Sequence, residues 1–129
     1  MPSFGKTSRE RLSTVHPDLQ RLFNEVIKHM DCKIIEGKRS LERQRELFES
    51  DPPRTHTMAS KHLSGDAVDV APWPIDWGDK ERQYIFASLV LDTAMRMGIR
   101  IRWGGWFRAK GNKIFYDSPH FELLLDWES

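Results

Sequence analysis

One cysteine, Cys32, in a chain of 129 residues leaves no possibility of an intramolecular disulfide, so the fold does not depend on an oxidising compartment. No apolar run approaches the roughly 20 residues that a membrane-spanning helix needs. The opening Met1-Pro2-Ser3-Phe4-Gly5-Lys6 lacks the apolar segment of a secretory signal. These absences predict a protein made in the cytoplasm, without membrane insertion. Neither sign of charge dominates: 20 basic residues face 19 acidic ones, for a net charge of +1. That balance supplies no electrostatic reason to expect nucleic acid or an anionic membrane as partner. Internal repeats, low-complexity tracts and linkers are also missing.

What is present is ordinary in bulk and unusual in detail. Apolar residues make up 39% and charged residues 30%, as in globular domains. The length predicts one domain over residues 1–129 with a real core. Five Trp and seven Phe point to an aromatic-rich core or a ring-lined groove.

Hydrophobic spacing predicts a short helix or turn over 8–15 and a break at His16-Pro17. Asp18 is then expected to cap a helix over 19–30, where Leu19, Leu22, Phe23, Val26, Ile27 and Met30 share a face. A strand is predicted over 33–36, ending at Gly37. Ser40 is expected to start a helix that Asp51-Pro52-Pro53 stops, and 52–60 reads as loop. A strand over 67–71, a helix over 79–97 ended by Gly98, and strands over 99–103 and 120–125 complete the pattern. Gly104-Gly105 and Gly111-Asn112 mark turns, and 126–129 reads as a tail. Early and central helices with strands clustered later predict an α+β fold around a small antiparallel sheet.

Two stretches carry the chemistry: Ser60-Lys61-His62-Leu63-Ser64-Gly65-Asp66-Ala67-Val68-Asp69 and Asp117-Ser118-Pro119-His120-Phe121-Glu122-Leu123. His62 and Asp69 are seven apart, which on one straight strand puts them on opposite faces. Gly65 allows a turn between them, so His62 comes from a loop and Asp69 from the strand after it. An aspartate in the apolar run Ala67-Val68-Asp69-Val70-Ala71 is costly to bury unless it is paired or bound to metal. The flanking alanines leave room for an ion. In the second stretch His120, Glu122 and Leu124 share a face, while Phe121, Leu123 and Leu125 fill the core side. His62, Asp69 and His120 together make a three-ligand zinc set with an open fourth position, as catalytic zinc sites have. Asp117, three residues before His120, is a carboxylate placed to accept a proton from water. By spacing alone, structural roles for both histidines remain an equal alternative.

Ser60-x-His62-x-x-Gly65-x-Ala67-x-Asp69 with Asp117-x-Pro119-His120-Phe121-Glu122 resembles the signature of a zinc peptidase family. It includes the D-Ala-D-Ala carboxypeptidases and dipeptidases and the L-alanyl-D-glutamate endopeptidases of phage lysins. Phe4-Gly5-Lys6, Leu12, His16-Pro17-Asp18-Leu19, Glu36-Gly37-Lys38-Arg39-Ser40 with Gln44, and Trp103-Gly104-Gly105 are similar to the phage endopeptidase branch. The resemblance implies the α+β fold shared by D-Ala-D-Ala peptidases and Hedgehog domains. It implies His62, Asp69 and His120 as zinc ligands and Asp117 as general base, where many members carry glutamate. Arg39 is implied to bind the substrate carbonyl or its oxyanion; otherwise it is a surface cation beside Glu42. The implied protein is a phage endolysin that cleaves the peptidoglycan stem peptide as a monomer. It would wait in the host cytoplasm until a holin opens the inner membrane. A D-Ala-D-Ala carboxypeptidase, or a binding module with a structural zinc, are the alternatives.

Other residues have two readings each. Ser60 either hydrogen-bonds substrate or caps its loop. Trp103 either lines the cleft, as a substrate-binding residue, or packs in the core. Cys32 reads as a small buried residue rather than a zinc ligand or nucleophile. Arg96, Arg100, Arg102, Arg108, Lys110 and Lys113, near Trp103, Trp106 and Phe107, read as a solvated face before an anion-binding one. Asp76, Asp79 and Glu81 lack the spacing of an EF-hand, and capping by Asp79 is the simpler account. His16, His29 and His56 have no carboxylate at matched spacing and are left outside the metal site.

Overall fold

The computed structural model describes residues 2–52, 60–108, 114–115 and 117–124, with the backbone alone at 106–108, 114 and 115. The expected strand end at Leu125, the tail, the Gly111-Asn112 turn, His56, Lys110 and Lys113 lie outside the described residues, as do the side chains of Trp106, Phe107 and Arg108.

The helices are α1 (Lys6–Leu12), α2 (Pro17–Val26), α3 (Leu41–Glu49) and α4 (Lys80–Arg96). The strands are β1 (Cys32–Glu36), β2 (Ala67–Pro72), β3 (Ile101–Trp103), β4 (Phe107–Arg108), β5 (Ile114–Phe115) and β6 (His120–Leu123). A 3-10 turn at Gly104–Trp106 follows β3. The main sheet has the order β1-β2-β6-β3 and every pairing in it is antiparallel; β4 and β5 form a separate two-stranded ribbon. This is the α+β architecture expected from the sequence.

The starts of α2, α3 and α4 follow the capping rules, with one correction. Ser40 and Asp79 cap α3 and α4, their side chains accepting from the backbone N–H of Arg43 and Arg82. For α2 the cap is His16, not Asp18: Nδ1 of His16 accepts from the Asp18 N–H at 3.0 Å. Pro17 takes the first helical position, where a missing N–H costs nothing, and Asp18 instead pairs with Arg21 one turn on. The helix also stops at Val26, sooner than expected, because the chain must turn back to enter β1 at Cys32.

Register sorts the sheet into two faces, since directly opposed residues on antiparallel strands point the same way. Ile34 opposes Val70, while Val68 and Trp103 both oppose Phe121. These side chains pack on α2 and α4 through Leu19, Leu22, Phe23, Val26, Phe86 and Val90, all buried. Phe121 meets Phe23 and Phe86 edge to face, with centroids 5.5 and 6.1 Å away. Phe121→Ala is expected to cost about 3–5 kcal/mol, the usual scale for emptying a buried ring position. Chemical denaturation would measure it, and a loss under about 1 kcal/mol would contradict this packing. Cys32 belongs to the same core; burial, then the Asp31 charge, pushes its thiol up to about 12.

The other face carries polar side chains: Asp69 opposes His120, Ala67 opposes Glu122, and Arg102 opposes Glu122. A register irregularity between Ile34 and Glu36 aligns Glu36, rather than Ile35, with Asp69. One extra residue in a strand re-aims the side chains beyond it, so the irregularity moves Glu36 from the core side to the polar side. The β1 edge is covered by α1: the Ser8 hydroxyl accepts from the Ile34 N–H and Arg11 donates to the Ile34 carbonyl.

Candidate metal centre

His62 arrives on the turn 61–65, whose Gly65 has φ of 81°, a conformation disfavoured for residues with a Cβ. The turn resolves the odd His62–Asp69 spacing as the sequence predicts. Asp69 sits mid-strand in β2, directly opposite His120 at the start of β6. At the far side Gly104 lets the Asp117 loop close: a Cβ there would run into the Asp117 carbonyl and the His120 side chain. The Asp117 N–H donates to the Gly104 carbonyl at 3.0 Å.

Three ligand atoms converge. His62 Nε2 lies 3.1 Å from Asp69 Oδ1 and 3.2 Å from His120 Nδ1, and His120 Nδ1 lies 3.4 Å from Asp69 Oδ1. Zinc bonds of about 2.0–2.1 Å in a tetrahedron place ligand atoms about 3.3–3.4 Å apart. The triangle therefore has the size of one tetrahedral face. The opposite ring nitrogens agree with this. His62 Nδ1 is 3.0 Å from the Gly37 carbonyl, which can only accept, so that nitrogen carries the hydrogen. His120 Nε2 is 2.8 Å from Glu122 Oε1 and donates to the carboxylate. In their neutral forms both imidazoles thus turn a lone pair toward the carboxylate oxygen of Asp69. Three acceptors aimed at one point require a cation between them, so the residues fit a divalent metal. His62, Asp69 and His120 are the possible metal-binding triad among the described residues.

Without a metal the cluster holds protons instead. Burial alone would lower His120, but its bonds to Asp69 and Glu122 prevail and raise it to about 9. For Asp69 burial works upward, and hydrogen bonds from His120 and His62 hold it well below the usual carboxylate range. Asp117 is shifted up, first by burial and then by the Asp69 charge. Its Oδ2 stands 3.9 Å from His120 Nδ1, too long for a direct hydrogen bond and about right for a bridging water.

The family model for phage L-alanyl-D-glutamate peptidases matches residues 2–124. The chain belongs to that family. It is 30% identical to the L-alanyl-D-glutamate peptidase of Escherichia phage T5, over 94% of this chain and 97% of the phage protein. It also superposes on the crystal structure of the Serratia marcescens L-Ala D-Glu endopeptidase ChiX with a TM-score of 0.81. That match has 33% identity and covers 98% of this chain and 93% of the other.

In this family member Arg39 is not a loose cation beside Glu42. Its side chain is only 9% exposed, and its guanidinium is gripped on two edges. Nε and Nη2 donate to the two oxygens of Glu36 at 2.8 and 2.7 Å, and Nη1 donates to Gln44 Oε1 at 2.6 Å. Burial disfavours the charge, but Glu36 foremost, with Asp69 and Asp117, keeps Arg39 firmly protonated. Its backbone N–H donates to the His62 carbonyl at 2.8 Å, which ties it to the ligand loop.

Ser60 caps that loop: its hydroxyl accepts from the His62 N–H at 3.2 Å. Trp103 is 1% exposed and packs against Tyr84, and its indole N–H donates to the Ser118 carbonyl at 2.8 Å. Of its two readings the structure places it in the core, because its register partner is Phe121; it braces the Asp117–Ser118 loop from beneath. Arg96 pairs with Asp92 along α4, His29 with Glu25, and Asp76 accepts from the Gly78 N–H. None of these joins the site.

Sequence reasoning assigned no role to Glu36, Gln44, Lys61 or Glu122. Glu122 carried a usable signal, a carboxylate two residues after a ligand on the same strand face. Glu36 carried none, because only the irregularity in β1 turns it toward Arg39. The Gly37 carbonyl carried none either, being backbone.

Proposed function

We propose that this chain is a zinc-dependent peptidoglycan endopeptidase that hydrolyses the L-alanyl-D-glutamate bond of the stem peptide. The observation that carries the reading is the convergence of the three lone pairs of His62, Asp69 and His120 beside the Asp117 carboxylate, in a member of the L-alanyl-D-glutamate peptidase family. Two imidazoles and one carboxylate are a donor set of catalytic zinc, which supplies a Lewis acid that acidifies water and polarises the scissile carbonyl.

The protein's own residues do the rest. Asp117 accepts a proton from the attacking water and delivers it to the departing amine of D-glutamate. The products are an L-alanine carboxylate and a free D-glutamate amine. The Arg39 guanidinium, immobilised by Glu36 and Gln44, presents charge to the carbonyl oxygen as it becomes negative. Ser60 and Trp103 act by holding the His62 loop and the Asp117 loop in place. The enzyme acts as a monomer, inserts in no membrane and binds no nucleic acid. Among the described residues no helix is long and apolar enough to cross a membrane. It reaches the wall from the host cytoplasm once a holin opens the inner membrane.

Digestion of purified sacculi followed by mass analysis tests the reading. The expected product carries a new amine on D-glutamate. Release of free D-alanine would make the chain a carboxypeptidase, and bound zinc without any product would make it a binding module. Arg39→Met is expected to lower kcat by about 10²-fold, the scale of losing one oxyanion donor, with zinc content unchanged. A change confined to KM would instead assign Arg39 to ground-state binding.

A further inference from the structure

Behind His120 lies a buried carboxylate that the proposed hydrolysis does not use. Glu122 is 6% exposed, on the polar face of β6. An ionised carboxylate is costly to bury unless it is paired. Its Oε1 accepts from His120 Nε2 at 2.8 Å, and its Oε2 lies 3.1 Å from Lys61 Nζ and 3.5 Å from Arg102 Nη2. Lys61 Nζ also donates to the Leu123 carbonyl at 2.7 Å. Lys61 directly precedes His62, so one lysine clips the loop bearing the first imidazole to the strand bearing the second. Arg102 is more than half exposed and adds less.

We propose that Glu122, held in place by Lys61, is the positioning residue that turns Nδ1 of His120 toward the metal. An imidazole offers either nitrogen to a metal, and the hydrogen bond on the other nitrogen decides which. Glu122 fixes the hydrogen on Nε2, so the lone pair is on Nδ1, the nitrogen that faces His62 and Asp69. For His62 the Gly37 carbonyl does the same job. The two ligand histidines are thus oriented differently, one by backbone and one by a charged side chain. Only the second can be changed by substitution without moving the chain.

This inference rests on the zinc reading, and the experiment separates the two. Zinc affinity is measured by competition with a chromophoric chelator for the unaltered protein, Glu122→Ala, Glu122→Gln and Lys61→Met, with circular dichroism of the metal-free forms as a fold check. Glu122→Ala is expected to bind zinc about 10- to 100-fold more weakly. Glu122→Gln, whose amide oxygen still accepts from Nε2, should fall between the two, and Lys61→Met should weaken binding in the same direction. Nitrogen-15 NMR of the zinc-loaded, unaltered protein should find His120 metallated at Nδ1 and protonated at Nε2. A folded Glu122→Ala with affinity within about threefold of the parent overturns the inference and leaves the zinc reading intact. Should Glu122→Ala not fold, the NMR decides: metal on Nε2 overturns the inference. A parent protein that takes up no zinc overturns both.

Discussion

Asp117→Ala is expected to keep its metal and lose at least about 10²-fold in kcat, the lower end of what a general base contributes. The geometry separates these two properties. Oδ2 of Asp117 stands 3.9 Å from His120 Nδ1, outside the 3.1–3.4 Å triangle of ligand atoms, so the ion does not depend on it. The side chain is about a third exposed, which leaves it open to water and substrate. Its backbone is pinned on both sides, with its N–H on the Gly104 carbonyl and its own carbonyl taking the His120 N–H. Truncation should therefore remove the proton acceptor without moving the ligand. Asp117→Asn keeps the shape and loses the basicity, so it should fall as far. Metal content by mass spectrometry and turnover on sacculi read the two quantities separately. A variant that loses its metal would make Asp117 a ligand, and one within about tenfold of the parent would end its role as base.

Removing the metal should have the larger effect. His62→Ala deletes one corner of the triangle and is expected to abolish both stoichiometric zinc and activity. Chelation of the unaltered protein should do the same reversibly, with activity returning on added zinc. Binding should also depend on pH in a definite sense. In the metal-free protein His120 is raised to about 9, so at neutral pH a proton occupies the cluster. A metal needs the neutral imidazole, so uptake must expel that proton and tighten as pH rises toward about 9. In the metal-free protein alone, the proton on His120 stabilises the fold at low pH, and that contribution fades as pH rises through the same value. Zinc affinity measured between about pH 6 and pH 8 should therefore increase. A flat profile would remove His120 from the metal site, and a His62→Ala protein that keeps one zinc at unchanged affinity would remove His62.

Much of the site is legible in the chain alone. His62, Gly65 and Asp69 can be read together because a seven-residue spacing interrupted by glycine has few ways to bring two ligands to one side. His120 and Asp117 can be read because the alternation of Phe121 and Leu123 on the core side forces His120 and Glu122 to the other. The helix starts at Ser40 and Asp79 are local facts, settled by a side chain three residues from the N–H it caps. The cap at His16 is harder to see, because Asp18 is the commoner capping type, while the neighbouring Pro17 suits the first helical position.

The linear chain by itself marked out which side chains could hold a metal, which carboxylate stands near them in sequence, and the α+β pattern that carries both, because each depends on residue type and on periods of two or 3.6 along the backbone. Only the tertiary structure decided which nitrogen of each histidine faces inward, that Glu36 and Gln44 immobilise Arg39, that Lys61 joins its loop to β6, and that Trp103 lies beneath the site rather than in it. Those outcomes depend on strand register and on contacts between segments far apart in sequence. A shift of one residue in β1 or β3 would exchange the faces of Glu36 or Trp103, and neither local spacing nor composition contains that information.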